Sequence, residues 1–451
     1  MVSDVETVLL YILGILIVVV GLAVSIGLHE IGHLVPAKLF GVRVSQYMIG
    51  FGPTLFSWRR GETEYGLKAI PLGGYISMAG MFPPARAGGK ARASTTGVFQ
   101  ALVQDARTLS ADTLVEVDGS AVGEHRAFYK LAVWKRIIIM LGGPIMNLVI
   151  AVVLYAIVIC GFGIQQYSTT IGSVNECVVP ATSERTECDP GDPAAPGRAA
   201  GIQPGDRLVS MDGTAITSWQ QATEIIRASP GDELSIVVER AGAEVTLSAE
   251  PLLTERYVTT ENGEIVEDAN GVPQTQDVGF LGIGPAVERV QQPVTAVLPA
   301  VGENISLVFH MILNLPQRMV DIAVAAFGPG ERDPNGPISV VGVGRLAGEM
   351  VSLDSTPVLD RAAGVIGLLA SLNVALFVFN LIPLMPLDGG HVAGALIEGI
   401  RRFFARLFGR PDPGPIDTAK FIPVTLTIAV ILGVMSALLI FADIVKPISI
   451  L

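Results

Sequence analysis

The sequence predicts a polytopic α-helical membrane protein with four transmembrane helices, a membrane-associated β-hairpin region and one extracytoplasmic α+β domain. Three observations lead there. Hydrophobic residues make up 50% of the 451 and charged residues 16%, with a mean hydropathy of +0.54. Four uncharged runs, at residues 7–28, 137–163, 362–387 and 421–442, are each long enough to cross a bilayer. Between the second and third lies a long acidic stretch whose turns and short periodic segments suit a soluble domain.

Residues 1–35 form the first helix. Its run 7–28 is about 33 Å long at the helical rise. Asp4 and Glu6 precede it without any Lys or Arg, which does not match a signal peptide. The inner end carries His29-Glu30-Ile31-Gly32-His33. Residues four apart share a helix face, so His29 and His33 can bind one metal ion together. Glu30 stands beside them, where a carboxylate can take a proton from water. A hydrolytic centre at that depth points to cutting of peptide bonds within or near the membrane.

Residues 36–134 follow. Alternation and glycine breaks over 42–77 predict β-hairpins dipping toward the membrane, and 83–94 reads as a small basic linker. The second helix, 135–163, carries Asn147 well inside the apolar run, either as a functional group or as a packing contact to a neighbouring helix. The α+β domain occupies 164–253: AGIQPGDRLVSMDGTAI reads as turn, strand and turn, WQQATEIIRAS as a helix, and ELSIVVERAGAEVTLSAE as a hairpin. Residues 175–196 look like an insertion. It holds Cys177 and Cys188, which can form a disulfide in an oxidising exterior or stay as two thiols. Residues 254–361 are expected to be a linker, polar at first, then interfacial amphipathic helices over 293–327, where Glu303, Arg318 and Asp321 interrupt the apolar pattern. The third helix spans 362–390, ending in NLIPLMPLDGG; a cytoplasmic loop (391–420) and the fourth helix (421–445) complete the order.

Charge sets the orientation. Residues 36–136 hold 13 Lys or Arg, whereas the twice-longer stretch 164–363 holds 11 Arg, no Lys and 27 acids. The positive-inside rule puts 36–136 and 389–420 in the cytoplasm, the α+β domain and both ends of the chain outside, and the His-Glu motif toward the cytoplasmic side of a bacterial cell membrane. Arg345 and Arg361 dissent weakly. A net charge of -12 and 6% aromatics argue against nucleic acid as a partner.

A hydrolytic zinc site takes three protein ligands and leaves one position open. Asp388 is the best third ligand, because a bare carboxylate at the end of an apolar run is costly without a metal or a partner. His391, three residues on, is a rival ligand, a proton shuttle or an outer residue. Asn380 lies in a helix broken by Pro383 and Pro386; it either holds a substrate strand or satisfies the carbonyls that those breaks free.

HEIGH at 29–33, YMIGFGP and IPLGGYISM in the hairpin region, GGPIMN at 142–147 and NLIPLMPLDGG at 380–390 together resemble the site-2 protease family of intramembrane zinc metalloproteases, in its regulator-of-sigma-E branch of actinobacterial type. The soluble stretch resembles a PDZ-like domain. The resemblance implies Zn2+ held by His29, His33 and Asp388, Glu30 as the catalytic acid/base, and Asn380 and Asn147 as substrate-positioning residues. It implies that the hairpin with Gly73 and Gly74 is the edge on which an unwound substrate pairs. Substrates would be single-span membrane proteins, such as anti-sigma factors, already cut once outside. Many relatives carry two PDZ domains, and this sequence shows one whose peptide-binding loop is hard to locate. The alternative is a non-catalytic membrane adaptor or chaperone with a structural metal. A structural site closes its fourth position with another His or Cys, and none stands near these motifs unless His391 serves.

Overall fold

The structure is a computed structural model that describes residues 2–81, 126–179, 183, 187–258, 265–266, 268, 272–328, 332–333, 336–416 and 422–448; the basic stretch 83–94 lies outside them. The chain divides into two compact units, one of Met1–Phe162 with Gln292–Leu451 and one of Gly163–Gln291.

The first unit begins with helix α1 (Val2–Leu39). Leu9, Ile12, Leu16, Val20 and Val24 are exposed, as lipid-facing side chains should be, while Val18, Ser25, Glu30, His33 and Ala37 are buried. Strands β1 (Val44–Arg60) and β2 (Thr63–Met78) follow. Residues Gln46, Tyr47, Met48 and Ile49 pair twice, with Ser77, Ile76, Tyr75 and Gly74 on one side and with Glu64, Tyr65, Gly66 and Leu67 on the other. The root of this small sheet is pinned to α1 by the Tyr47 hydroxyl, which donates to the Gly27 carbonyl at 2.7 Å. Its far end exposes Phe51, Leu55, Phe56 and Trp58, side chains that belong against lipid rather than water. Helix α2 (Val133–Ala156) crosses α1 where Gly32 meets Gly142. A Cβ on either glycine would overlap the other's backbone, so the helices touch main chain to main chain.

The second unit contains β3 (Ile164–Val174), a single helical turn α3 (Pro196–Ala199), β4 (Arg207–Met211), β5 (Thr214–Ala215), α4 (Trp219–Ala228), β6 (Leu234–Arg240), β7 (Ala243–Ala249), β8 (Leu252–Tyr257), β9 (Thr275–Phe280) and β10 (Ile283–Val290). The strand order is β10-β3-β4-β6-β7, with β5 beside β4 and a separate β8–β9 hairpin. Ile171, Leu208, Met211, Ile236 and Leu281, with Ile226 of α4, form its core. This unit runs past the expected boundary at 253, and the expected polar linker there contains three strands. The physical reason is long-range pairing: β10 closes on β3 through Ile283↔Val174 to Val290↔Ile164, which no local pattern announces. Cys177 and Cys188 are joined in a disulfide.

The first unit resumes with α5 (Val297–Leu313), α6 (Leu315–Phe327), α7 (Val340–Ser352), α8 (Val358–Asn380), α9 (Asp388–Leu407) and α10 (Ile422–Val445). Five helices among the described residues, not four, are long and apolar enough to cross a membrane, and the additional one is Val294–Leu313. Asn314 and Pro316 separate apolar α5 from α6, which carries Arg318 and Asp321; taken as one segment, the charges hid the span. Val297, Val301 and Val308 of α5 pack with Ala151 of α2 and Val374 of α8. The expected third helix also differs. It stops at Asn380, and Asp388 opens a new helix rather than ending the old one. The expected loop after it is largely α9, wound on apolar positions such as Leu396, Ile400, Phe404 and Leu407.

Asp206 in the second unit is 1% exposed and accepts bonds at 2.7 Å from both Nε and Nη2 of Arg240. Hydrogen bonding from Arg240 holds its carboxyl below the usual range. Stability from this pair is therefore complete above the unfolded carboxylate value of 3.8 and drains away as pH falls toward the lower folded value. Asp206→Asn should cost about 1.5–3 kcal/mol at neutral pH and flatten the acid limb of the unfolding curve. Trp219 emission in a Trp58→Phe, Trp134→Phe background reads this unit directly; an unchanged acid limb would contradict it.

Candidate metal centre

Helix α1 supplies two imidazoles on one face, and the N-terminus of α9 supplies the Asp388 carboxylate between them. His29 Nε2 lies 3.2 Å from His33 Nε2, and Asp388 Oδ2 lies 3.3 Å from each. Among the described residues these three form the one group of His, Cys, Asp and Glu side chains placed to hold a metal. A tetrahedral ion with bonds of about 2.0–2.1 Å has ligands about 3.3–3.4 Å apart. The observed triangle has the size of one face of that tetrahedron.

Protonation sharpens the fit. His33 Nδ1 is 2.7 Å from the Ile139 carbonyl oxygen. A carbonyl only accepts, so Nδ1 carries the proton and Nε2 keeps its lone pair. Asn147, 1% exposed, places its amide 3.1 Å from His29 Nδ1, and its Oδ1 is buried without a partner. A half-turn of the amide lets His29 Nδ1–H donate to that oxygen, leaving Nε2 of His29 unprotonated as well. Asp388 Oδ2 is likewise buried without a hydrogen-bond donor. Three acceptor atoms thus converge on one point with no proton between them, an arrangement that a divalent cation satisfies and water does not.

One face of α2 organises the site. Ile139, Gly143 and Asn147 follow one another at intervals of four residues, the helical repeat. Ile139 holds His33, and Asn147 holds His29. Gly143 makes room, because a Cβ there would overlap Nε2 of both histidines. One turn earlier on the same face, buried Arg136 bonds to Glu398, which is 1% exposed on α9 and is also met by Arg402 at 3.1 Å and the Ile416 amide at 3.1 Å. That pair ties the helix that orients the histidines to the helix that begins at Asp388.

Asn147, expected to position substrate, has its amide beside His29. Glu30 is buried on α1, and Gly74 of β2 passes so close that a Cβ there would sit 3.0 Å from Glu30 Cγ. Gly73 has φ +105° with the Phe51 ring against its open side. Asn380 is half-buried at the end of α8, and no described hydrogen bond joins it to the triangle. His391 borders a small cavity of about 20 Å³ with Arg136 and Glu398. Ile139, Gly143 and the Arg136–Glu398 pair were missed at sequence level. Their helical spacing on α2 was the available signal.

The sequence profile of Peptidase family M50 matches residues 17–408. Zinc metalloprotease Rip1 of Mycobacterium tuberculosis is 33% identical, over 98% of this chain and 99% of the relative. Zinc metalloprotease Rip1 of Mycolicibacterium smegmatis is 32% identical over 97% and 98%. Metalloprotease MmpA of Caulobacter vibrioides is 28% identical over 94% of each chain.

Gly143→Ala should abolish retention of metal by the purified protein, because the new methyl occupies the space where the two imidazoles meet. Metal content after dialysis, read beside an unfolding curve, checks this. Full metal retention in a folded variant would contradict it.

Proposed function

Since this chain belongs to peptidase family M50 and is a zinc metallopeptidase of the membrane, we propose that His29, His33 and Asp388 hold its zinc and that Glu30 is the general acid–base. The observation that carries this reading is the 3.2–3.3 Å triangle formed by His29 Nε2, His33 Nε2 and Asp388 Oδ2. No fourth His or Cys joins that group among the described residues, which favours an open catalytic position over a structural staple. Zinc, when bound, supplies Lewis acidity toward water and the scissile carbonyl.

Glu30 accepts the proton of the attacking water and then delivers it to the departing amide nitrogen. Asn147 and the Ile139 carbonyl hold the two rings in the tautomer that leaves Nε2 free. The β2 segment beside Glu30 offers backbone groups on which an extended substrate pairs. A helical substrate must unwind first, because its carbonyls are otherwise bonded within the helix. Gly74 is the position that lets this strand approach the carboxylate.

The substrates in this reading are single-span membrane proteins, anti-sigma factors among them, already shortened by a first cut outside, so that this enzyme makes the second. The catalytic end of α1 then faces the cytoplasmic side of the cell membrane, as the basic residues of 36–136 favour.

Purified Glu30→Gln protein, given a trimmed single-span substrate, should lose cleavage by about a hundredfold or more while keeping its zinc. Cleavage at the wild-type rate would refute the assignment of Glu30. Loss of zinc along with cleavage would move Glu30 from proton transfer to metal retention.

A further inference from the structure

The second half of α9 carries a surface that the metal centre does not use. Leu396, Ile400, Phe403, Phe404 and Leu407 are exposed there. At about 100° per residue these side chains fall on one stripe of the helix. The opposite face is fastened to the bundle. Glu398 meets Arg136 of α2 and Arg402 of its own helix, and a Cβ on Gly399 would sit 3.3 Å from Val133 of α2. The rotation of α9 is therefore fixed, and its apolar stripe points away from the protein.

Charge sets this stripe apart. Helix α10 has a single charged residue, Asp443, and is long and apolar enough to span. Helix α9 is not, although it lies in sequence between two helices that are, Val358–Asn380 and Pro423–Val445. Arg401 borders its stripe on one side and Arg406 on the other, and Arg410 follows just past its end. The nearby acids are already engaged: Asp388 at the metal centre, Glu398 with Arg136 and Arg402, and Asp412 with Arg402 at 3.3 Å. No carboxylate among the described residues forms an ion pair with Arg401, Arg406 or Arg410. Helix α6 offers a contrast. It exposes Val320, Val324 and Phe327, but its Arg318 is met by Asp333 at 2.9 Å.

A helix with an apolar stripe flanked by arginines lies in the plane of a membrane interface, with the stripe on the acyl chains. Long cationic side chains then reach out to the headgroups. A zwitterionic surface covers the stripe but offers the arginines no net charge, whereas an anionic surface satisfies both. The same helix opens with Asp388, so this surface and the metal centre share one element.

We infer that α9 lies in the headgroup layer and binds anionic phospholipid there, with Arg401, Arg406 and Arg410 on the headgroup phosphates.

The test uses the full chain in nanodiscs of equal parts phosphatidylcholine and phosphatidylglycerol. Trp58→Phe, Trp134→Phe and Trp219→Phe remove the native indoles, and Phe404→Trp places one on the stripe. Brominated acyl chains, which quench an indole on contact, are carried by one lipid or by the other. Emission from the Phe404→Trp chain should be quenched about twofold or more strongly by the brominated phosphatidylglycerol. Val434→Trp, on exposed α10, should be quenched equally by both. Arg401→Gln with Arg406→Gln should remove the preference while leaving total quenching high, and Arg401→Lys with Arg406→Lys should keep it. Salt at about 1 M should weaken it, because the attraction is screened. Equal quenching of the Phe404→Trp chain by the two lipids, or a preference that survives the double Gln change, would overturn the inference. Absence of quenching by either lipid would also overturn it, since a second copy or another protein surface would then cover the stripe.

Discussion

Three lone pairs aimed at one point within a mostly apolar protein form the constraint on which the rest of this structure depends. Nε2 of His29, Nε2 of His33 and Oδ2 of Asp388 stand 3.2–3.3 Å apart with no proton to share. Bringing such atoms together costs several kcal/mol per uncompensated charge. The arrangement persists only because helices with many other contacts hold it and because a cation can satisfy it. Each imidazole has its remote nitrogen occupied, His33 by a backbone carbonyl and His29 by an amide, so neither ring can turn away without losing a buried partner.

The surrounding helices show how the fold bears that cost. Where α1 and α2 cross, glycine faces glycine, and the site forms directly beside that contact. Gly14 makes a similar approach to the backbone of α7 at Ala347. Close approach of backbones replaces the hydrophobic drive that lipid does not provide between helices. Two buried ion pairs lie in this unit, Arg136 with Glu398 and Arg332 with Asp443. The first of these pairs lies on the α2 face that orients the histidines. One helix face therefore carries an ionic tie, a carbonyl, a gap and an amide, and all of them bear on the same few ångströms.

Much of this was legible in the sequence. The four-residue spacing of His29 and His33 within an uncharged run pointed to a candidate metal-binding face, and Asp388 stood out as a carboxylate at the end of an apolar segment. Other features showed in the sequence only as spacing along one helix, without chemistry of their own. A missing side chain at Gly143 and a backbone carbonyl at Ile139 do not appear as chemistry in a string of letters. Asn147 did appear, but which neighbour it meets depends on how two helices cross. The fifth long apolar helix was hidden because Arg318 and Asp321 were averaged into it across the break at Asn314 and Pro316. The end of the second unit was hidden because β10 finds its partner in β3, more than a hundred residues earlier. Pro383 and Pro386 announced the break after Asn380, yet the helix that restarts at Asp388 was read as a loop, since its arginines masked its apolar stripe.

The most direct measurement of the central claim is the X-ray absorption spectrum of zinc bound to the purified full chain. The account predicts a first shell of nitrogen and oxygen at about 2.0–2.1 Å, with the outer scattering of two imidazoles, and loss of one oxygen contribution in Asp388→Ala. A sulfur shell at about 2.3 Å, or a spectrum without imidazole scattering, would contradict it.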